Sequence, residues 1–129
     1  MRQFSLLVAI SMSGFIAGLC TPLARAEPAP VMWIYRLDAP VVEVPAAMAK
    51  DAVAVWYGCE VRTEVQAPYG EPWRARNPQS GASGTPQLMS LHRPGMARVG
   101  LNYDDDGDRI KWAVMLWSRQ GWNPWSCKP

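Results

Sequence analysis

Asp104-Asp105-Asp106-Gly107-Asp108 puts four carboxylates into five residues, a density that suits a hard cation such as calcium. The EF-hand pattern fails here: counted from Asp104, the sixth position is Arg109, not glycine, and the twelfth is Met115, not glutamate. Asp104, Asp106 and Asp108 remain candidate cation ligands in some other arrangement. The same residues are also what a charged hairpin tip uses. His92 is the only histidine; it could move a proton near neutral pH, or sit solvated in the loop before Pro94. Glu60, Glu64 and Glu71 have no spacing that pairs them for acid–base work. No G-x-S-x-G, H-E-x-x-H or glycine-rich phosphate loop occurs, so no catalytic residue is assigned. Cys59 and Cys127 lack the C-x-x-C spacing of a redox or zinc pair. They read as a structural disulfide, which would stabilise the fold by about 4 kcal/mol through closure of a loop of roughly 70 residues. Trp73, Trp117, Trp122 and Trp125 are candidate binding aromatics for a sugar ring, a peptide or a partner surface.

The compartment follows from the start of the chain. Arg2, the apolar run from Phe4 to Leu19 and the small residues of Ala24-Arg25-Ala26 have the form of a secretory signal peptide cleaved after Ala26. A membrane anchor and acylation at Cys20 are the two other readings. Cleavage would remove Cys20 and leave Cys59 with Cys127 in an oxidising compartment, secreted or periplasmic. It would also remove Arg2 and Arg25, so 11 basic residues face 11 acidic ones. The apparent net charge of +2 therefore belongs to the leader. That balance gives no electrostatic case for nucleic acid, and no membrane span remains after cleavage. Residues 27–129 make one small domain.

The elements that must position these residues come next. Val31–Leu37 alternates as a strand. A helix is predicted from about Pro45 to Tyr57, with Ala49, Ala52, Val53 and Trp56 as its apolar stripe and Gly58 as its C-terminal cap. Cys59–Gln66 alternates as a half-buried strand, with Cys59, Val61, Thr63 and Val65 inward and Glu60 on the solvated face. Residues 67–94 form a long Pro/Gly-rich loop, functional or mobile. Met96–Tyr103 and Arg109–Trp117 read as two further strands joined by a hairpin at Asp106-Gly107. Trp33, Trp56 and Trp112 read as core. The expected class is α+β: a small mixed sheet of about four strands, the first two parallel through a crossover, one helix packed on a face and one disulfide.

The order MWIYRLDAP, AMAKDAVAVWYGC, CEVRTEVQ and RVGLNYDDDGDRIKWAVMLW resembles the N-terminal subdomain of matrixin-type (metzincin) zinc metallopeptidases. The resemblance implies a following helix with H-E-x-x-H-x-x-G-x-x-H, zinc on its histidines and the glutamate as general base. That helix is absent from the sequence, and one histidine cannot supply the ligands and base that zinc hydrolysis needs. The resemblance thus implies a truncated or degenerate scaffold, inactive alone, with zinc only if the helix is supplied. The alternative is a small disulfide-stapled binding or inhibitory module of the envelope, without chemistry, that takes a protein or peptide partner.

Overall fold

The computed structural model describes residues 25–61 and 71–129. The signal peptide lies almost wholly outside the described residues, as does the part of the expected strand 59–66 beyond Val61. Two short strands open the fold. β1 (Val31–Trp33) pairs antiparallel with β2 (Val42–Val44), with Val31 opposite Val44 and Trp33 opposite Val42. Trp33, Val42 and Val44 face inward while Met32 and Glu43 face out, the alternation a one-sided sheet requires. Among the described residues the expected sheet of about four strands is not formed: two antiparallel strands stand in its place, and Val42–Val44, read from sequence as connection, is the partner strand.

Three α-helices are described, and the second and third fall on expected strands. α1 (Ala46–Ala52) follows Pro45 and continues as a π-helical stretch, Val53–Glu60. The wider turn is marked by the Val61 N–H donating to the Trp56 carbonyl, five residues back. The helix runs through Gly58, which does not cap it. Ala49, Ala52 and Trp56 of the expected stripe are buried, but Val53 is half exposed and Val55 is buried in its place. Glu60 and Val61, four and five residues beyond the fully buried Trp56, share its inward face. Glu60 is therefore buried rather than solvated.

α2 (Arg93–Arg98) occupies the start of the expected third strand, and α3 (Asp106–Gln120) replaces the fourth. Asp105 caps α3: its side chain accepts from the Asp108 N–H at 2.8 Å. The Asp-Gly pair thus opens a helix instead of turning a hairpin. Ile110, Ala113 and Leu116 recur at three-residue spacing and are buried, which is helical periodicity. α3 lies against β2. Gly107 lets the start of α3 come close to Tyr35, because a Cβ there would stand 2.8 Å from the Tyr35 hydroxyl. The stretch that the matrixin resemblance reads as two final strands is thus the last residue of α2, a loop and most of α3.

Tryptophans fill the centre. Trp56 meets Trp33, Trp122 and Trp125 with ring centroids 5.5, 6.2 and 6.3 Å apart, and Trp33, Trp56 and Trp112 are buried as expected. The expected disulfide joins Cys59 to Cys127. It ties the end of the π-helical stretch to the C-terminal segment. Among the described residues no helix is long and apolar enough to cross a membrane.

Residues 75–88 form a compact double turn rather than an open loop. Ser83 bridges to both Arg76 and Leu88. The Asn77 side chain accepts from the N–H groups of Gln79 and Ser80 at 2.9 and 3.1 Å, an Asx-type turn. A buried ion pair fixes this unit to α3. Asp106 accepts from Thr85 N–H (2.9 Å), Thr85 Oγ1 (2.6 Å) and Arg109 Nε (3.0 Å). Arg109 also donates to the carbonyls of Tyr103 and Trp73 at 2.8 and 3.1 Å. Gly84 passes over the pair with φ +76°, and a Cβ there would stand 2.1 Å from Asp106 Oδ1 and 2.2 Å from Arg109 Nε. Gly84→Ala combines left-handed strain with overpacking, so it should cost on the order of 3 kcal/mol. Urea unfolding checks this; a loss below about 0.5 kcal/mol, the scale of ordinary surface changes, would show that the contact yields.

Candidate functional site

A cleft of about 530 Å³ opens between the double turn and the C-terminal segment, within the size range of ligand sites, about 300–1,000 Å³. Glu60 lines it. The loop Asn77–Ala82 forms one side, Pro124–Ser126 the other, and Gln87 and Met89 close it. Among the described residues that line the cleft, Glu60 alone carries an ionisable side chain.

Each part is placed by local structure. The π-helical widening turns Glu60 inward from the apolar end of a helix, where it is only 3% exposed. Its Oε1 accepts from the Cys127 N–H at 2.8 Å, and the disulfide beside both residues holds the two segments together. Trp125 is buried, and its indole N–H donates to the Pro86 carbonyl at 2.8 Å. That bond ties the C-terminal wall of the cleft to the double turn.

Gln87 is the unusual member. Its backbone has φ +51°, a conformation that non-glycine residues adopt at a cost of order 1–3 kcal/mol and that clusters at functional sites. Its Nε2 donates to the carbonyl of Gly84 at 2.8 Å, which orients the amide. Its Oε1 is buried and has no hydrogen-bond partner among the described residues. A buried acceptor left unsatisfied costs about 1–3 kcal/mol. A ligand hydroxyl or amide N–H entering the cleft would relieve that cost. A buried carboxyl group lining the same cleft as such an acceptor, with an indole and side-chain amides in its walls, can exchange a proton with a bound polyhydroxylated molecule.

The residues singled out from sequence fall elsewhere, with one exception. Asp104, Asp106 and Asp108 are each engaged by a different partner. Arg93 makes two bonds to Asp104, at 2.7 and 2.9 Å, and holds its carboxyl below the usual carboxylate range. Asp106 is locked to Thr85 and Arg109. Asp108 accepts from Asn102 N–H and from Lys111 Nζ, at 2.9 and 2.7 Å. Among the described residues no three His, Cys, Asp or Glu side chains are grouped to hold a metal ion. The four candidate tryptophans form no shared platform. Trp73 borders a separate cleft of about 380 Å³ with Tyr35 and Asp105. Trp117 lies beside Pro28 and Pro30. Trp122 packs edge-on against Trp125 at 5.1 Å, and only Trp125 lines the main cleft.

His92 packs against the Trp112 ring, centroids 6.1 Å apart, and burial lowers its proton affinity below the ordinary value of 6.5. A depressed folded-state value means that the neutral form is the one the fold favours. Its contribution to stability is therefore complete above about pH 6.5 and is lost as pH falls through the lower folded-state value. We expect urea midpoints to fall between pH 7.5 and 5, with part of that slope gone in His92→Gln. An unchanged slope would contradict this assignment.

Sequence reasoning missed Glu60 and Gln87 as site residues. The available signal for Glu60 was its position four residues after Trp56 on one continuous helix. Gln87 is marked by a backbone angle and an unpaired oxygen, neither of which a sequence displays. Compared with protein-family models, curated proteins and solved structures, the chain shows no match.

Proposed function

We propose that this protein is a secreted or periplasmic glycan-cleaving enzyme, with Glu60 as the general acid. The observation that carries the reading is the burial of Glu60 at the wall of a ligand-sized cleft among a tryptophan and side-chain amides. A carboxylic acid in a dry aromatic setting is how glycoside-cleaving enzymes keep a proton ready for the leaving-group oxygen. Asn77, Gln79 and Gln87 supply the amide groups that sugar hydroxyl and acetamido groups hydrogen-bond, and Gln87 Oε1 has an acceptor position open. The signal-peptide reading directs the enzyme to the compartment that holds the cell-wall glycan. Peptidoglycan, an N-acetylated glycan, is therefore the substrate class favoured over a cytoplasmic sugar.

In the mechanism, Glu60 donates its proton to the glycosidic oxygen as the bond to the anomeric carbon breaks, while a water oxygen bonds to that carbon and its proton passes to solvent, from which Glu60 is reprotonated. The carboxylate left behind is stabilised by the Cys127 N–H. Gln87 and the Asn77–Ser80 turn hold the sugar in place. Such positioning contributes a large share of the rate, because it converts encounter into a fixed geometry. The envelope binding module is the second reading, and Trp125 in the cleft wall favours it over an inactive peptidase scaffold. Both readings are tested by incubating the purified protein with peptidoglycan strands and analysing soluble products by mass spectrometry, with binding measured by co-sedimentation. Muropeptide release supports the enzyme. Binding without release supports the module, and neither result would contradict both readings.

A further inference from the structure

The disulfide and the catalytic candidate are adjacent in a way that stability alone does not require. Cys59 immediately precedes Glu60, and Cys127 donates its backbone N–H to the Glu60 carboxylate. The segment that supplies this donor is a strap held at two points: the disulfide itself, and the Trp125 indole on the Pro86 carbonyl. Lys128 folds back, its ammonium on the carbonyls of Trp122, Asn123 and Trp125, and closes the end of the strap into a turn. Pro124, Trp125 and Ser126, in this segment, form one wall of the cleft.

We propose that the strap Trp125–Cys127 is a positioning element for the Glu60 carboxyl, completed only when Cys59 and Cys127 are joined. This deepens, and rests on, the reading of Glu60 as the general acid. Joining requires two thiols to give up two electrons and two protons to a disulfide-exchange oxidant, which is itself reduced to a dithiol. The cleft is therefore incomplete in a reducing compartment and complete in an oxidising one. An N–H donor favours the carboxylate over the acid. Loss of the donor moves the Glu60 titration to higher pH, and the alkaline limb of activity moves with it. Among the described residues that line the cleft none besides Glu60 is ionisable; on the strap Lys128 is bonded to carbonyls. Behind the double turn Asp106 and Arg109 pair with each other.

The test compares oxidised protein with protein reduced by dithiothreitol, and with the Cys59→Ser/Cys127→Ser variant. Glu60 is followed by carbon-detected NMR titration of its carboxyl, and peptidoglycan cleavage is followed across pH. Near-UV circular dichroism reports whether the tryptophan core persists. With the core intact, we expect Glu60 to titrate at higher pH, the alkaline limb to follow, and the maximal cleavage rate, read on the plateau below that limb, to fall at least tenfold. A folded, reduced protein with both titration and profile unchanged would overturn the proposal. Should reduction dissolve the core, Trp125→Phe releases the other clamp with the disulfide intact. It is held to the same pair of outcomes. If oxidised protein cleaves no glycan, the functional reading fails, while the Glu60 titration still decides the positioning role.

Discussion

Glu60→Gln is expected to lower glycan cleavage by about 10²–10⁴-fold, the range that a positioned general acid supplies. The substitution is nearly isosteric. Its amide oxygen can still accept from the Cys127 N–H, so the strap keeps its anchor. What disappears is the proton that Glu60 delivers to the leaving-group oxygen. Binding of glycan strands should persist, since Asn77, Gln87 and Trp125 are untouched. The expected pattern is therefore a loss in kcat with KM nearly constant, as for an interaction realised only in the transition state.

Asp106→Ala carries the largest expected effect on stability. Asp106 and Arg109 are both buried, with side chains 4% and 8% exposed. Removing one partner of such a pair costs about 3–5 kcal/mol, because the other charge is left uncompensated. Against a total of about 5–15 kcal/mol for a domain of this kind, that is a large fraction. Two further donors, the N–H and the hydroxyl of Thr85, would lose their acceptor at the same time. The cost should not be purely global. Thr85 anchors the double turn that carries Asn77 and Gln87, so amide exchange across residues 75–88 should accelerate more than exchange in the Trp56 region. Adding Arg109→Met should restore part of the loss, since it removes the stranded guanidinium. A double variant less stable than Asp106→Ala would show that Arg109 contributes mainly through its bonds to the Tyr103 and Trp73 carbonyls.

The comparison of sequence with structure turns on one ambiguity. Ile110, Trp112, Val114 and Leu116 alternate, which reads as a strand. Ile110, Ala113 and Leu116 recur every three residues, which reads as a helix. The buried face of α3 also includes Asp106 and Arg109, so its stripe looks polar and the helical period is masked. Asp106-Gly107 then reinforced the hairpin reading, although Asp105 with Asp108 makes an equally legible helix cap. The same parity error hid the site. In a strand starting at Cys59, Glu60 points opposite to Val61 and faces water. On a helix that widens after Ala52, both residues lie inward beside Trp56. Features that depend on residue type rather than on period were legible. The cysteine pair, the start of α1 after Pro45 and the core roles of Trp33, Trp56 and Trp112 all read correctly. The ion pair under Gly84 was not legible, because it joins residues 21 positions apart that carry no local signature.

One measurement tests the central claim most directly. Wild-type protein and Glu60→Gln, both oxidised and both shown to be folded by near-UV circular dichroism, are incubated with purified peptidoglycan strands, and soluble fragments are quantified by mass spectrometry over time. The expected result is steady fragment release by the wild type and release at least 10²-fold slower by the variant, with equal co-sedimentation of the two proteins. Equal release by both proteins would contradict the assignment of Glu60 as the proton donor in this cleft.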